Sequence, residues 1–209
     1  MDVGACMFTP GRPACKVLDL IARGFNNYNQ GTELPKAVAQ LLLSNPTPQP
    51  GVRTMDLGQG TWQVFYAPHI ASISSTFGVT FDTIQYVLDG DKLSSNVRYS
   101  HPLLGTGWLS ASGGLAAKDD DTVELHFDKF WIDGGADGLR PTLTEGTSQP
   151  SDSMITAVGK AGFLPQFAVF PVAYLDEDLA VFEFPPLKSK IAVRRLPSPT
   201  VTDVTTSTI

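Results

Sequence analysis

The stretch AYLDEDLAVFEF, residues 173–184, sets Asp176, Glu177 and Asp178 inside what otherwise reads as apolar strand. Extended chain rises about 3.3 Å per residue and returns i and i+2 to one face, which would put the carboxylates of Asp176 and Asp178 about 7 Å apart. An inverting glycosidase holds its acid and base at about 6.5–9.5 Å. The same residues serve equally as ligands for a hard cation or as turn formers, because an aspartate oxygen accepts backbone N–H groups a few residues on. Elsewhere the sequence offers less chemistry. The three histidines, His69, His101 and His126, stand at no metal-ligand spacing. His126 and Asp128 of HFD share a strand face and read as a solvated outer pair. Ser110 and Ser112 of SASGG have no neighbouring histidine to activate a nucleophile, and no lysine or helix comes after them to make a phosphate cradle. The expectation is a protein with no catalytic residue, no metal and no cofactor.

Composition narrows the class. The 209 residues suffice for one domain with a sizeable core, and 42% hydrophobic against 17% charged, with 19 glycines and 16 prolines, points to a turn-rich β protein. A net charge of −6 leaves no basic stripe for nucleic acid. Cys6 and Cys15 make no framework and no CxxC motif, so they read as two spare thiols. No apolar run reaches the roughly 18 residues of a membrane-spanning helix. The opening residues carry neither a secretory pattern nor a visible transit region.

Two helical patterns, at 15–23 and 33–43, precede a change of rhythm at Thr61. From there eight strands are expected, beginning with the one that carries Trp62, Val64 and Tyr66 on one face and Phe65 on the other. The other seven cover 80–88, 93–101, 104–116, 122–133, 167–175, 179–184 and 188–196. Turns separate several of them: DGD at 89–91, HPLLG at 101–105, KDDD at 118–121 and PPLK at 185–188. Short links favour an antiparallel up-and-down order, and closure into a barrel would remove the strand edges. Phe130, Trp131 and Ile132 break the alternation set by Val123, Leu125 and Phe127, which predicts a bulge near Asp128 and Lys129. A long loop at 134–153 and a short helix at 152–161 interrupt the meander. Residues 1–14 read as a flexible start and 197–209 as a disordered tail around a domain at 15–196. The two N-terminal helices are expected to close one end of the barrel.

Gly60, Thr61 and Trp62 match the G-x-W entry of lipocalin-type barrels, in which an indole plugs the closed end and a basic side chain of the last strand covers it. Arg194 and Arg195 are available for that role. Together with Tyr66, and with Tyr174, Leu175, Asp176, Asp178, Leu179 and the ending at 191–195, this resembles the plastid lipid-associated protein (fibrillin) family. Ala180 departs from the arginine usual in that family, and FEFPPLKSK replaces its basic turn. The resemblance covers roughly residues 18–196 and implies a lipocalin-like barrel in the plastid, peripheral to thylakoids or plastoglobules. It also implies that the acidic triplet is a connection between strands.

The resulting expectation is a mainly β, antiparallel lipocalin-like barrel with short N-terminal helices. It would bind or carry an apolar small molecule, such as a lipid, prenyl quinone or carotenoid, at a plastid membrane or plastoglobule surface. Candidate wall residues are Trp62, Phe65, Tyr66, Phe81, Tyr86, Trp108, Phe127, Trp131 and Phe170, although strand parity leaves open which face inward. An arginine at 98 turned inward would suit a carboxylate headgroup; among Asn96 and Ser100 it reads as outward. Two rivals stand beside carriage: a scaffold with a filled barrel that contacts thylakoid membrane proteins, and a lipid-modifying enzyme. A mapped interior separates the three.

Overall fold

The computed structural model describes residues 12–103, 105–134, 153 and 168–197. Eight antiparallel strands close into a barrel in chain order: β1 (Gly60–Tyr66), β2 (Thr80–Asp89), β3 (Lys92–His101), β4 (Gly105–Ala117), β5 (Thr122–Gly134), β6 (Val169–Leu175), β7 (Leu179–Phe184) and β8 (Ser189–Arg195). Each coincides with an expected strand to within a residue or two. Closure rests on the β1–β8 pairing, with Trp62 opposite Arg195 and Val64 opposite Val193. Closure pairs the first and last strands, which an open sheet would leave as edges, and β5 meets β6 over Thr122–Glu124, opposite Val169–Pro171.

Alternation sorts the side chains. Val64, Ile84, Leu93, Leu115, Val123, Leu125, Val172 and Val193 form one buried cluster inside the barrel. The predicted bulge is present: Ser112 pairs with Lys129 while Gly113 pairs with Phe127, leaving Asp128 as the extra residue. Beyond it the parity of β5 reverses, so Trp131, which pairs with Ser110, lies on the outer face.

Four helices accompany the barrel among the described residues: α1 (Pro13–Ala22), α2 (Glu33–Leu41), α3 (Pro50–Leu57) and α4 (Pro68–Phe77). The expected pair, α1 and α2, does not close an end. Val17, Leu20, Leu34, Val38 and Leu41 pack instead on Phe65, Tyr174, Leu179, Val181 and Ala192, as a second core on the outer side of β1, β6, β7 and β8. Those strands are apolar on both faces, and the two helices supply the cover that their outer face requires. Cys15 is disulfide-bonded, which corrects the expectation of spare thiols. The sequence holds one other cysteine, Cys6, outside the described residues.

The end of the barrel is closed by α3, a helix that starts at the last proline of the SNPTPQP stretch, where the sequence predicts only a turn-rich stop to α2. Its first turn threads against the β4–β5 link: Gly51 N–H donates to Asp120 O at 2.7 Å. A Cβ on Gly51 would meet the Thr122 backbone nitrogen and come within 2.6 Å of Asp119 O and 2.9 Å of the Asp121 carbonyl carbon. Upstream, Thr47 Oγ1 donates to Leu175 O at 2.5 Å and Leu175 N–H donates to Asn45 Oδ1 at 3.2 Å, fixing the approach to α3 on the end of β6. Helix α4 packs on β2 and β8 at the opposite end, which is the mouth. The expected loop at 134–153, the helix at 152–161, the tail at 198–209 and most of the 1–14 segment lie outside the described residues.

Replacing Gly51 by alanine should lower unfolding free energy by about 1–3 kcal/mol, the usual range for forcing an extra group into a filled space. Urea unfolding followed by tryptophan emission measures it, with Val52→Ala on the exposed side of the same helix as the neutral comparison.

Candidate functional site

Gly60 enters β1 with φ of 103°, a conformation that an L side chain rarely adopts. The turn delivers Trp62 to the floor of the barrel, where it is 5% exposed and its Nε1–H donates to Gly58 O at 2.6 Å. Of the two candidate arginines, Arg195 covers it, with Cζ 4.4 Å from the ring centroid. The same guanidinium donates to the carbonyls of Leu57, Gln59 and Glu177. It thereby ties the end of α3, the entry to β1 and the β6–β7 turn to one cation. Burial lowers the Arg195 pKa, and the carboxylates of Asp178, Glu177 and Asp176 act in the opposite direction. Arg194 points outward, its Nη2 donating to Gln63 Oε1 at 2.8 Å.

Above this floor lies a cavity of about 140 Å³, bounded by Trp62, Tyr86, Leu125, Phe127, Phe170 and Val193, with Thr54 and Gly58 below. An engineered apolar cavity of roughly that size, about 150 Å³, takes up benzene in another protein. A second chamber of about 220 Å³, toward the mouth, is lined by Val64, Ile70, Ile73, Phe81, Ile84 and Val97. Tyr86 and Ile191 line both, so the chambers abut. A surface groove of about 630 Å³ between α4 and the β7–β8 turn shares His69 and Ile73 with the upper chamber. His69 Nδ1 lies 2.9 Å from Ser189 Oγ, and its ring is 5.3 Å from that of Phe184. Burial lowers its pKa and so favours the neutral imidazole.

Of the nine candidate wall residues, Trp62, Phe81, Tyr86, Phe127 and Phe170 line the interior. The other four do not. Phe65 sits at the β1 irregularity and packs under α1 and α2, and Tyr66, past the same irregularity, pairs with Ala192 on the outer side. Trp108 pairs with Arg98, whose Cζ lies 5.9 Å from the indole centroid. Both are outward because their neighbours Leu109 and Val97 line the chamber. Trp131 is buried on the outer face, its Nε1–H donating to Asp133 Oδ2 at 3.1 Å. No arginine therefore reaches inward from position 98 toward a carboxylate headgroup.

The acidic triplet forms a turn. Asp176 Oδ1 accepts the N–H groups of Asp178 at 2.8 Å and Leu179 at 2.7 Å, and Asp176 Oδ2 accepts the Tyr174 hydroxyl at 2.5 Å. Burial first, and the Asp176 carboxylate next, raise the Tyr174 pKa far above its ordinary value. His126 and Asp128 are exposed. Among the described residues no cluster of histidine, cysteine and carboxylate side chains is arranged to hold a metal.

Sequence reasoning missed the interior role of Ser95 and Ile191 and the mouth position of His69. A strict period-two count carried inward from Leu93 would have found Ser95; nothing local marks His69. No family model matches the chain, and no curated protein is significantly similar to it.

Trp62→Ala should cost about 3–5 kcal/mol of stability, as for large aromatic deletions in cores. Asp176→Asn should cost about 1 kcal/mol, because the amide oxygen still accepts both turn N–H groups, whereas Asp176→Ala should cost clearly more. Denaturant midpoints of the three variants rank them; equal losses for Asn and Ala would mean that the turn bonds are not what holds the residue. Because the folded-state pKa of His69 lies below the ordinary 6.5, its contribution to stability is complete above that value. It declines as pH falls through 6.5 toward the folded pKa. His69→Gln should flatten that part of a stability–pH profile.

Proposed function

We propose that the protein binds an apolar small molecule inside the barrel and holds it away from water. The observation that carries this reading is the pair of abutting chambers between Trp62 and the mouth, walled by aliphatic and aromatic side chains. Removing apolar ligand surface from water contributes about 25 cal/mol per Å², so about 300 Å² would supply roughly 7 kcal/mol before ordering costs. A filled barrel, as a pure scaffold would have, leaves no such space. The groove and the upper chamber share His69 and Ile73 of α4, which sets the route inward past these two side chains.

Carriage at a membrane or lipid-droplet surface in the plastid, as the family resemblance implies, is the setting we infer. It is supported by Leu103, 90% exposed on the β3–β4 link, and Leu187, 52% exposed on the β7–β8 turn. Both stand at the mouth end, where a ligand passing to or from lipid would enter. The closed end carries acidic turns, Asp89 and Asp91, Asp119 to Asp121, and Asp176 to Asp178, around the exposed Val52 of α3. An anionic surface would repel that end and leave the mouth facing the lipid.

The test is titration with the neutral fluorophore N-phenyl-1-naphthylamine. Saturable binding with partial quenching of tryptophan emission is expected. Val193→Phe and Val97→Phe, which fill the lower and upper chambers, should each weaken it about tenfold or more. Binding that is unchanged in both filled variants, with melting temperatures preserved, would move the ligand to the outer surface and end this reading.

A further inference from the structure

The chambers are apolar but not uniformly so. Where they abut, Tyr86 stands between Trp62 on β1 and Ser95 on β3 in directly paired register. Both Tyr86 and Ser95 line the lower chamber, and Tyr86 lines the upper one as well. Neither hydroxyl makes a hydrogen bond among the described residues. Both residues are half-buried, and a hydroxyl turned toward an apolar chamber without a partner leaves a hydrogen bond for an occupant to make. The third hydroxyl on the wall behaves normally: Thr54 Oγ1 donates to Pro50 O at 2.7 Å. The two unpaired hydroxyls are thus a polar spot on the wall of the lower chamber, and Tyr86 brings it to the junction with the upper one.

Charge narrows what fits there. Burial pushes the Tyr86 pKa up to about 12, so it is a neutral donor at any ordinary pH. His69, at the upper edge, is held toward its neutral form. Arg195 lies across the Trp62 ring and is committed to three backbone carbonyls. Arg194 and Arg98 face outward onto Gln63 and Trp108. An ionised carboxylate brought to the junction would lose its water and gain no counter-charge, a cost that apolar burial of a short chain does not offset. A carbonyl oxygen needs only one or two donors, and Tyr86 and Ser95 are two donors on neighbouring strands.

Resting on the reading that the chambers hold a ligand, we propose that this ligand is a neutral, carbonyl-bearing apolar molecule (a ketone, aldehyde or ester), whose oxygen accepts from Tyr86 Oη and Ser95 Oγ. The hydrocarbon on either side of the carbonyl then fills the lower and upper chambers. An apolar molecule with its polar group at one end uses only one chamber, and a free fatty acid at neutral pH is rejected.

Three probes of equal chain length separate the possibilities: heptane, 4-heptanone and heptanoate at pH 8, each read by the change in tryptophan emission. Wild-type protein should bind 4-heptanone more tightly than heptane and heptanoate weakest. Tyr86→Phe should weaken 4-heptanone about 3- to 10-fold, the equivalent of one neutral hydrogen bond, and leave heptane within about twofold. Ser95→Ala should act in the same direction and more weakly. Lowering the pH to 4, where heptanoate takes up a proton, should strengthen its binding but leave it weaker than that of the ketone. If heptane binds and 4-heptanone is indifferent to both substitutions, the polar spot is not a recognition element and the chambers are simply apolar. Heptanoate binding at pH 8 as tightly as the ketone would overturn the neutral-ligand inference while leaving the occupied barrel intact. Failure of all three probes to bind would remove both together.

Discussion

The barrel depends on one cation laid across one indole. Arg195 stands on the last strand and Trp62 on the first, so their contact exists only when the sheet has closed on itself. A guanidinium over an indole contributes about 0.5–2 kcal/mol, more as it is desolvated. The donors of that guanidinium matter as much as its charge: they reach the carbonyls at the end of α3, before β1 and in the β6–β7 turn, three places that no strand pairing joins. Gln59 extends the same tie, its side chain exchanging hydrogen bonds with Gly90 N and O in the β2–β3 turn at 2.8 and 2.9 Å. The floor is thus sewn by backbone carbonyls and a few side chains that accept or donate to them, with α3 pressed beneath.

A floor fixed in this way permits a hollow above it. Much of the large apolar volume of the chain is spent elsewhere. Phe65, Leu34, Leu41, Tyr174 and Leu179 form the second core outside the sheet, and Trp108 and Trp131 stand on the outer face. The interior near the junction is left with small side chains such as Ser95 and Ala111, which pair with each other across β3 and β4. Protein interiors are otherwise packed like organic crystals, and a void forfeits contacts that its walls would have made. A barrel that anchors its closed end so firmly and then underfills its middle suits an occupant, which restores those contacts on binding.

Much of this was legible in the sequence, for identifiable reasons. Strand positions came from β-branched and aromatic runs bounded by glycine, proline and aspartate. The bulge came from the run Phe130–Trp131–Ile132, and the floor from Gly60, Trp62 and a basic residue near the end. The acidic triplet could be read as a turn because Asp176 bonds its own local backbone, an interaction that needs no distant partner. Face assignment failed where registers shift: the irregularity between Val64 and Tyr66 and the bulge at Asp128 each invert what strict alternation would say, which misplaces Tyr66 and Trp131. Helices α3 and α4 were missed because each is short, starts at a proline and carries only a few apolar residues. Tertiary contact with the barrel ends, not local propensity, makes them helical.

The central claim is that the interior, and not the outer surface, holds the ligand. Crystals soaked with 1-bromoheptane and measured at the bromine absorption edge test it directly. The account predicts an anomalous peak enclosed by the barrel, between Trp62 and Phe81. Bromine found only outside the sheet, against α1 and α2 or in the groove beside α4, with the interior side chains collapsed onto Tyr86, would contradict it.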